Sequence, residues 1–335
     1  MTQEDAPLGE FDLIRRFFAD IGAARSDVEL GVGDDAALLR MPGGADLVAA
    51  VDTIVAGRHF PDGSDPRSIG HRALAVNLSD LAAMGATPAW ATLALTLPSV
   101  DAGWLQRFSR GLSDLASVHG VALVGGDTTA GHLTVSVQIL GHVERGTALR
   151  RSGGCAGDLL LVTGTLGDAG AGLALVSASH TTGDAAAAAV LIQRFEYPSP
   201  RVEFGIAMRG IATAAMDLSD GLAGDLPKLA SASGLAAHVD IERLPLSAAL
   251  SAVTDLKQAR DWALGAGDDY ELLLAVPPRN YEKAVSIATR LNLRLSAIGE
   301  LRPGGGVTWA LNGKESAPPG QGFDHFRRAS TQITV

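Results

Sequence analysis

Cysteine and lysine are scarce in this chain of 335 residues, and each scarcity excludes a kind of site. Cys155 is the single cysteine, so the chain forms no internal disulfide bond and no cluster of thiolate metal ligands. No lysine precedes Lys228, and the phosphate-binding pattern G-x-x-x-x-G-K-[ST] does not occur. If the protein binds a nucleotide, it must do so without the lysine of a P-loop.

A dinucleotide-binding turn is missing too. The segment Gly164–Gly170 carries several glycines, but their spacing fails the dinucleotide fingerprint. We interpret it as a strand-to-helix turn in which Asp168 caps the helix. The glycine-rich patterns of this chain therefore do not by themselves identify a cofactor.

Long apolar runs and excess positive charge are absent as well. The apolar stretches are too short or too interrupted to cross a bilayer, and Met1–Glu10 lacks the apolar centre of a signal peptide. The formal net charge of −10 argues against nucleic acid or an anionic membrane as a partner. These features predict a cytoplasmic protein. They leave an anionic substrate open, because bound metal ions can invert the local field.

Composition and periodicity predict an α/β (α+β) fold with two domains. Apolar residues make up 47% of the chain, and glycine and alanine are abundant, as is typical of close helix–sheet packing. The glycine-rich segment Arg150–Asp158 is typical of a joint between domains. We therefore predict an N-terminal domain of residues 1–149 and a C-terminal domain of residues 150–335.

Apolar spacing also predicts individual elements. Helices are expected at Ser68–Met84, which stops before Gly85, and at Arg201–Ala214. Short strands are expected at Leu47–Val51 and Val121–Val124. The glycine- and proline-rich segment Arg302–Gly322 is expected to be a surface loop.

Aspartate is what the chain has in an unusual arrangement. It follows apolar or glycine-rich stretches at Gly33-Asp34-Asp35, Val51-Asp52-Thr53, Leu78-Ser79-Asp80, Gly125-Gly126-Asp127-Thr128-Thr129, Asp217-Leu218-Ser219-Asp220 and Gly267-Asp268-Asp269. Predicted strands that end at Asp52, Asp127 and Asp217 would present carboxylates on one rim of the sheets, where α/β proteins usually bind ligands. Oxygen ligands without histidine or cysteine suit Mg²⁺ or Mn²⁺. The pattern therefore predicts metal ions that hold a polyphosphate.

Taken singly, each of these features has an ordinary structural explanation. An aspartate after glycine is usually a turn residue or a helix cap. Asp114 lies in a copy of the sequence around Asp80, yet it falls within a predicted helix, and we interpret it as solvent-exposed. Arg151 fits a contact to phosphate or ribose, and a surface ion pair explains it equally well. His59 fits a phosphate contact, although a single histidine is more often structural.

The order and spacing of these segments resemble the thiamine-monophosphate kinase family, within the aminoimidazole ribonucleotide synthetase superfamily. The resemblance extends from Phe11 to Phe326 and is most specific around Asn77. The segments that carry it are Gly31–Ala37, Asp52–Phe60, Ala75–Ala86, Gly125–Thr129, Asp217–Leu222 and Asp268–Leu272.

The resemblance implies both an architecture and a reaction. The N-terminal domain would contain a four-stranded sheet through which two copies form a homodimer, and the active cleft would lie between the two domains. The reaction would be phosphorylation of thiamine monophosphate by ATP to thiamine diphosphate, the last step of its biosynthesis. Several Mg²⁺ ions would take part, and a need for a monovalent cation stays open.

The resemblance also implies roles for individual residues. The implied metal ligands are Asp35, Asp52, Asp80, Asp127, Asp217 and Asp220, with a main-chain contact left open at Val51. The implied ATP contacts are Gly126, Asp127, Arg151 and Ser219, and those to thiamine monophosphate are His59, Asp268 and Phe323. The implied catalytic set is Asp80, Asp127 and Asp220. Relatives often carry a hydroxyl residue before Asp52, glutamate in place of Asp268 and tyrosine or tryptophan in place of Phe323.

The expected reaction needs charge neutralisation more than it needs a general base. The acceptor is a phosphate monoester whose second pKa is about 6, so it is mostly ionised at neutral pH. We therefore predict direct in-line transfer between metal-bound phosphates. An aminoimidazole ribonucleotide synthetase remains the alternative enzyme. A nucleotide-binding regulator without turnover remains the alternative of another class.

Overall fold

The computed structural model describes residues 10–33 and 36–316. Its helices are α1 (Glu10–Phe17), α2 (Pro66–Ala83), α3 (Ala102–Val118), α4 (Asp168–Val176), α5 (Ala185–Glu196), α6 (Val202–Ala207), α7 (Leu222–Ala232), α8 (Ala248–Val253), α9 (Leu256–Gly265) and α10 (Tyr281–Arg290). Its strands are β1 (Val28–Leu30), β2 (Leu38–Leu39), β3 (Ala45–Val55), β4 (Thr87–Leu97), β5 (Ala122–Ala130), β6 (Thr134–Glu144), β7 (Leu159–Thr163), β8 (Ala214–Asp217), β9 (Ala236–Asp240), β10 (Leu272–Val276), β11 (Leu295–Arg302), β12 (Val307–Leu311) and β13 (Lys314–Ser316). The mixed α/β class is as predicted.

The N-terminal half contains a four-stranded sheet in the order β3-β6-β4-β5. Only β4 and β5 run parallel; β6 is antiparallel to both of its neighbours. Side chains alternate along these strands, so that Leu93, Leu95 and Val137 are buried on the face that is covered by α2 and α3. The opposite face is covered at one end, where Val28 and Leu39 of the β1–β2 pair pack against Trp90.

Two strands of this sheet are longer than the sequence predicts. β3 continues past Asp52 to Val55, and β5 continues through the two glycines to Ala130. Glycine is required at position 126, because a Cβ there would lie 1.9 Å from the main-chain oxygen of Leu93. The prediction that Asp52 and Asp127 follow the ends of strands is therefore wrong, and both lie within strands.

Helix α2 is the central element between the two halves. It is buried nearly all round, as expected for a helix that packs on several sides. It contacts α3 and β3 in the N-terminal half and α6 and β8 in the C-terminal half. α6 approaches closely because Gly205 has no side chain; a Cβ there would lie 2.0 Å from the oxygen of Ala82. The predicted helix at Ser68–Met84 is confirmed within two residues at its start and one at its end.

The C-terminal half contains a seven-stranded sheet in the order β13-β12-β9-β11-β7-β10-β8. Its neighbours are antiparallel except for β9 and β12. The predicted loop at Arg302–Gly322 is wrong in part, because β12 and β13 lie there and Trp309 is buried. The predicted helix at Arg201–Ala214 is also too long. α6 ends at Ala207, and the following turn contains Gly210 with a φ of 71°.

The turn at Gly164–Gly170 joins β7 to α4, as predicted, but its cap is a different residue. The main-chain N–H of Gly167 donates to both oxygens of Asp269, at 3.0 and 2.9 Å. Asp168 instead accepts hydrogen bonds from the hydroxyls of Thr165 and Ser247. The cap of α4 thus comes from a loop that is distant in sequence, which local patterns cannot show. Within the two described ranges, no helix has the length and apolar character needed to span a membrane.

Candidate active site

A cavity of about 360 Å³ lies along the free edge of β3, next to α2 and the end of β8. It brings together predicted site residues from both halves of the chain: Asp52, His59, Asp80, Arg151, Asp217, Ser219, Asp220 and Asp268. A larger cavity of about 550 Å³, lined by Phe60 and Trp104 among others, contains none of them. We take the smaller cavity as the candidate site, because ionisable groups with shifted pKa values converge there.

Helix α2 holds the acidic residues in place through two buried polar side chains. Asn77 accepts a hydrogen bond from the main-chain N–H of Asp52 at 3.0 Å, which fixes β3 against the helix. Ser79 donates to a carboxylate oxygen of Asp217 at 2.9 Å, which fixes the end of β8. Asp80 follows directly and lines the cavity. The roles of Asn77 and Ser79 were not predicted, although both lie in the segment that carries the strongest resemblance.

The carboxylates of this cavity shift one another's ionisation. Burial raises the pKa of Asp80 to about 8, and the negative charges of Asp217 and Asp52 add to this effect, while Arg151 opposes it. Burial also raises the pKa of Asp217 to about 6, against a hydrogen bond from Ser79 that lowers it. The site therefore has more acidic groups than its own cations can keep ionised.

Asp220 belongs to a network of hydrogen bonds and ion pairs with Asp225 and Lys228 that we did not predict from the sequence. The buried Asp225 accepts main-chain hydrogen bonds from Ser219 at 3.0 Å and Asp220 at 2.9 Å. The ammonium group of Lys228 contacts Asp220 at 2.6 Å and Asp225 at 2.9 Å. Because Asp225 and Lys228 are three residues apart on α7, the spacing of an ion pair was the available signal.

The arginine and lysine side chains of the cavity come from the turn after β3, from the joint and from α7, where Lys228 lies. Arg58 and His59 line it from the turn, and Arg151 lines it from the joint. The Nδ1 atom of His59 accepts a hydrogen bond from the main-chain N–H of Val55 at 2.9 Å, which fixes the orientation of the ring. These positions suit an anionic ligand next to the carboxylates.

Asp127, Gly126 and Val51 do not line the cavity. β3 and β5 are the opposite edges of the sheet, three strand spacings or about 14 Å apart. Asp127 and Val51 are exposed on the sheet face that α2 does not cover. The prediction that Asp52, Asp127 and Asp217 share one rim is therefore wrong within a single chain, because the strands are not adjacent. Asp35 and Phe323 lie outside the described residues.

The donor set fits a hard divalent cation. The acidic side chains supply oxygen ligands, and the raised pKa values of Asp80 and Asp217 show that added positive charge would stabilise their ionised forms. Among residues 10–33 and 36–316, no three acidic, histidine or cysteine side chains already converge on one point as ligands. Mg²⁺ is a hard cation of this kind, and it usually keeps several waters and binds phosphate oxygens together with one or two carboxylates.

Comparison with known proteins shows the family of this chain. Residues 33–143 match the family described as AIR synthase related protein, N-terminal domain, and residues 156–311 match its C-terminal domain. The chain is 47% identical to the thiamine-monophosphate kinase of Escherichia coli K12 over 320 residues, which cover 95% of this chain and 98% of that protein. It is 38% identical to the Haemophilus influenzae enzyme over 96% of this chain and 99% of that one.

Solved structures show the same relationship. The thiamine-monophosphate kinase of Stenotrophomonas maltophilia K279a is 44% identical, with a TM-score of 0.82 over 87% of this chain and 93% of that one. AaThiL in complex with AMPPCP and TMP is 31% identical, with a TM-score of 0.76 over 95% and 97% of the two chains. This chain belongs to the thiamine-monophosphate kinase family of AIR synthase related proteins.

Proposed function

We propose that this protein transfers the terminal phosphoryl group of ATP to thiamine monophosphate and so completes thiamine diphosphate biosynthesis in the cytoplasm. The observation that carries the proposal is the convergence of Asp52, Asp80 and Asp217 from distant segments on one cavity. Related kinases of known name match nearly the whole chain, and one relative was solved with AMPPCP and TMP. We also propose that the joint at residues 149 and 150 separates the two functional domains.

The acidic residues are proposed to hold Mg²⁺, which would supply positive charge near the donor and acceptor phosphates. One pair of unit charges about 4 Å apart repels by roughly 4 kcal/mol at an effective dielectric constant near 20, and both substrates carry several charges. Bound Mg²⁺ would supply the positive charge that lets the two phosphates approach. Asp52, Asp80, Asp217 and Asp220 are the proposed ligands in the cavity. Asp80 and Asp220 are proposed to be catalytic through the ions that they would hold.

The remaining side chains would orient the two phosphates. Arg151 and Ser219 are proposed to contact ATP, and His59 and Asp268 to contact thiamine monophosphate. The ring of His59 is already fixed by Val55, so its position would not depend on the ligand. We propose direct in-line transfer, because the acceptor phosphate is itself the nucleophile and is ionised at neutral pH.

Two copies are proposed to pair through the open face of the N-terminal sheet. Leu47 and Val51 alternate along β3 on this face and are 54% and 61% exposed. A sheet usually buries the face that carries such apolar residues, and a second copy would do so here. Asp127 and Gly126 lie on β5 of the same sheet. We propose that Asp127 acts on metal ions across this pair of copies, since its own cavity lies at the opposite edge.

The proposal is tested by following ADP formation with purified protein, with and without Mg²⁺. ADP should form only when ATP, Mg²⁺ and thiamine monophosphate are all present, and thiamine diphosphate should appear in equal amount. A parallel assay uses the substrate of aminoimidazole ribonucleotide synthetase. ADP formation with that substrate, and not with thiamine monophosphate, would identify the alternative enzyme. A folded protein that binds nucleotide but forms no ADP with either substrate would instead be the non-catalytic regulator.

A further inference from the structure

Arg72 on α2 is a buried cation that joins the two halves of the molecule. Its side chain is 3% exposed. One terminal nitrogen donates to the main-chain oxygen of Phe195 at 2.6 Å, and the other forms an ion pair with Asp268. The guanidinium carbon lies 4.5 Å from the ring centre of Phe195 and 5.8 Å from that of Tyr270. The group is thus held between two aromatic rings, and its second nitrogen is directed at a cavity residue.

Asp268 occupies a constrained loop at the edge of the cavity. Asp268 has a φ of 63° and Tyr270 a φ of 48°, both in the left-handed region that non-glycine residues disfavour. The loop keeps this shape through main-chain hydrogen bonds, from Asp268 to Ser219 and from Tyr270 to Leu218, each 2.9 Å long. Such conformations persist where the surroundings hold them, and they are frequent at ligand sites.

Stability alone is a poor explanation for this ion pair. A buried ion pair often contributes little net stability, because both charges lose their hydration. In the described residues the Nε–H of Arg72 has no hydrogen-bond partner, which adds a cost of about 1–3 kcal/mol. The contact that offsets this cost is the one with a carboxylate that lines the cavity.

We infer that Arg72 is a positioning residue for the acceptor substrate. It binds one oxygen of Asp268 and fixes which oxygen faces the cavity. The ligand that an oriented carboxylate recognises is a hydrogen-bond donor or a cation on the acceptor, away from its phosphate. This inference rests on the proposed function, since it assigns Asp268 to the acceptor side of the cavity.

The effect of Arg72 is separable from the metal site. Asp80 lies eight residues further along α2, which places it about 12 Å from Arg72 along the helix axis. A change at Arg72 should therefore act on acceptor binding, while the carboxylates that are proposed to bind Mg²⁺ and ATP keep their places.

The experiment measures steady-state kinetics of Arg72→Gln and Arg72→Lys. In Arg72→Gln the KM for thiamine monophosphate should rise about ten- to a hundredfold, the range for a lost hydrogen bond to a charged group, while the KM for ATP changes by less than about twofold. Arg72→Lys keeps the charge but loses the planar guanidinium group. Its KM for thiamine monophosphate should therefore lie between those of the wild type and of Arg72→Gln. Ligand-induced melting shifts should follow the same order, with the shift by thiamine monophosphate lost and that by Mg²⁺–ATP kept.

Arg194→Gln is the matched control. Arg194 forms an ion pair of 2.7 Å with Glu271, whose side chain is fully buried, and neither lines the cavity. This variant should lower the melting temperature without changing the ratio of the two KM values. Equal rises of both KM values in the Arg72 variants, or a loss of stability alone, would overturn the inference. If Arg72→Gln does not fold, the inference is tested with Arg72→Lys, by the ratio of its KM for thiamine monophosphate to its KM for ATP.

A double variant with Asp268→Asn adds a second readout. Once Asp268 has lost its charge, Arg72→Gln should cost little more, so the two effects on the KM should be far from additive. Additive effects would contradict a role that operates through Asp268. Failure of the wild-type protein to use thiamine monophosphate would refute the proposed function instead, so the two failures are distinguishable.

Discussion

The two faces of the N-terminal sheet surround aspartate residues differently: one face is covered by α2 and α3, and the other is largely open. On the covered face, α2 fixes Asp52 through Asn77, and a cavity with mutually interacting carboxylates lies beside it. On the open face, Asp127 is exposed on the far edge strand, in a part of the sheet that residues 10–33 and 36–316 leave uncovered. The sequence around both residues is an apolar stretch that ends in aspartate. Local pattern therefore identifies candidate ligands, and the packing of helices decides which of them share a site within one chain.

The largest effect is expected from removing a carboxylate on the covered side. Asp80→Asn should reduce phosphoryl transfer by at least about a hundredfold, because a proposed metal ligand is lost from a site where charge neutralisation is needed. Asp114→Asn is the control, since Asp114 lies in the same Leu-Ser-Asp-Leu sequence but on the surface of α3, paired with Arg67. Comparable losses of activity in the two variants would contradict the proposal that Asp80 binds metal while Asp114 does not. Turnover is measured by coupled ADP release at saturating Mg²⁺.

A mixing experiment tests whether the open face completes the site of a second copy. Asp127→Asn and Asp217→Asn should each be nearly inactive. Unfolded and refolded together in equal amounts, they should regain about a quarter of wild-type activity, because half of the dimers would be mixed and each would have one intact site. The refolded single variants are the control. No regain, with mixed dimers demonstrated by differently tagged copies, would assign both carboxylates to the same copy.

The open face itself should tolerate charge less well than other exposed apolar positions. Val51→Glu should shift the protein from dimer to monomer in sedimentation analysis and lower its activity severalfold, because it places a charge in the proposed interface. Val118→Glu is the control, since Val118 is 76% exposed near the end of α3. Dissociation by both variants, or by neither, would remove the open face as the proposed contact.

The smallest expected effect is a dependence of the melting temperature on pH, which arises from the carboxylates on the covered side. Because the pKa of Asp80 is raised to about 8 and that of Asp217 to about 6, the folded metal-free protein binds more protons than the unfolded chain between about pH 4 and 8. Its melting temperature should therefore fall by a few degrees as the pH rises through this window. Mg²⁺ should restore more stability at pH 8 than at pH 6, since it binds the deprotonated groups. Asp80→Asn should flatten the metal-free slope, and an unchanged slope would contradict the assignment of the raised pKa.

The regular elements followed from sequence where the apolar pattern was long. The helix predicted at Ser68–Met84 agrees with α2 to within two residues at each end. Glycine misled the prediction in two places. Gly125 and Gly126 lie inside β5, where a close main-chain approach requires glycine at position 126. The glycines at 304–306 precede β12 without ending the sheet.

The sequence by itself determined the family of this protein and the residue types available to its site. Its aspartates, its shortage of lysine and its family segments were readable in one dimension, because residue type and spacing along the chain carry that information. Only the tertiary structure decided which carboxylates lie together and what holds them. Asn77, Ser79 and Arg72 act on residues 25, 138 and 196 positions away. Contacts at such separations depend on how α2 packs between the two sheets, and no local pattern encodes that packing.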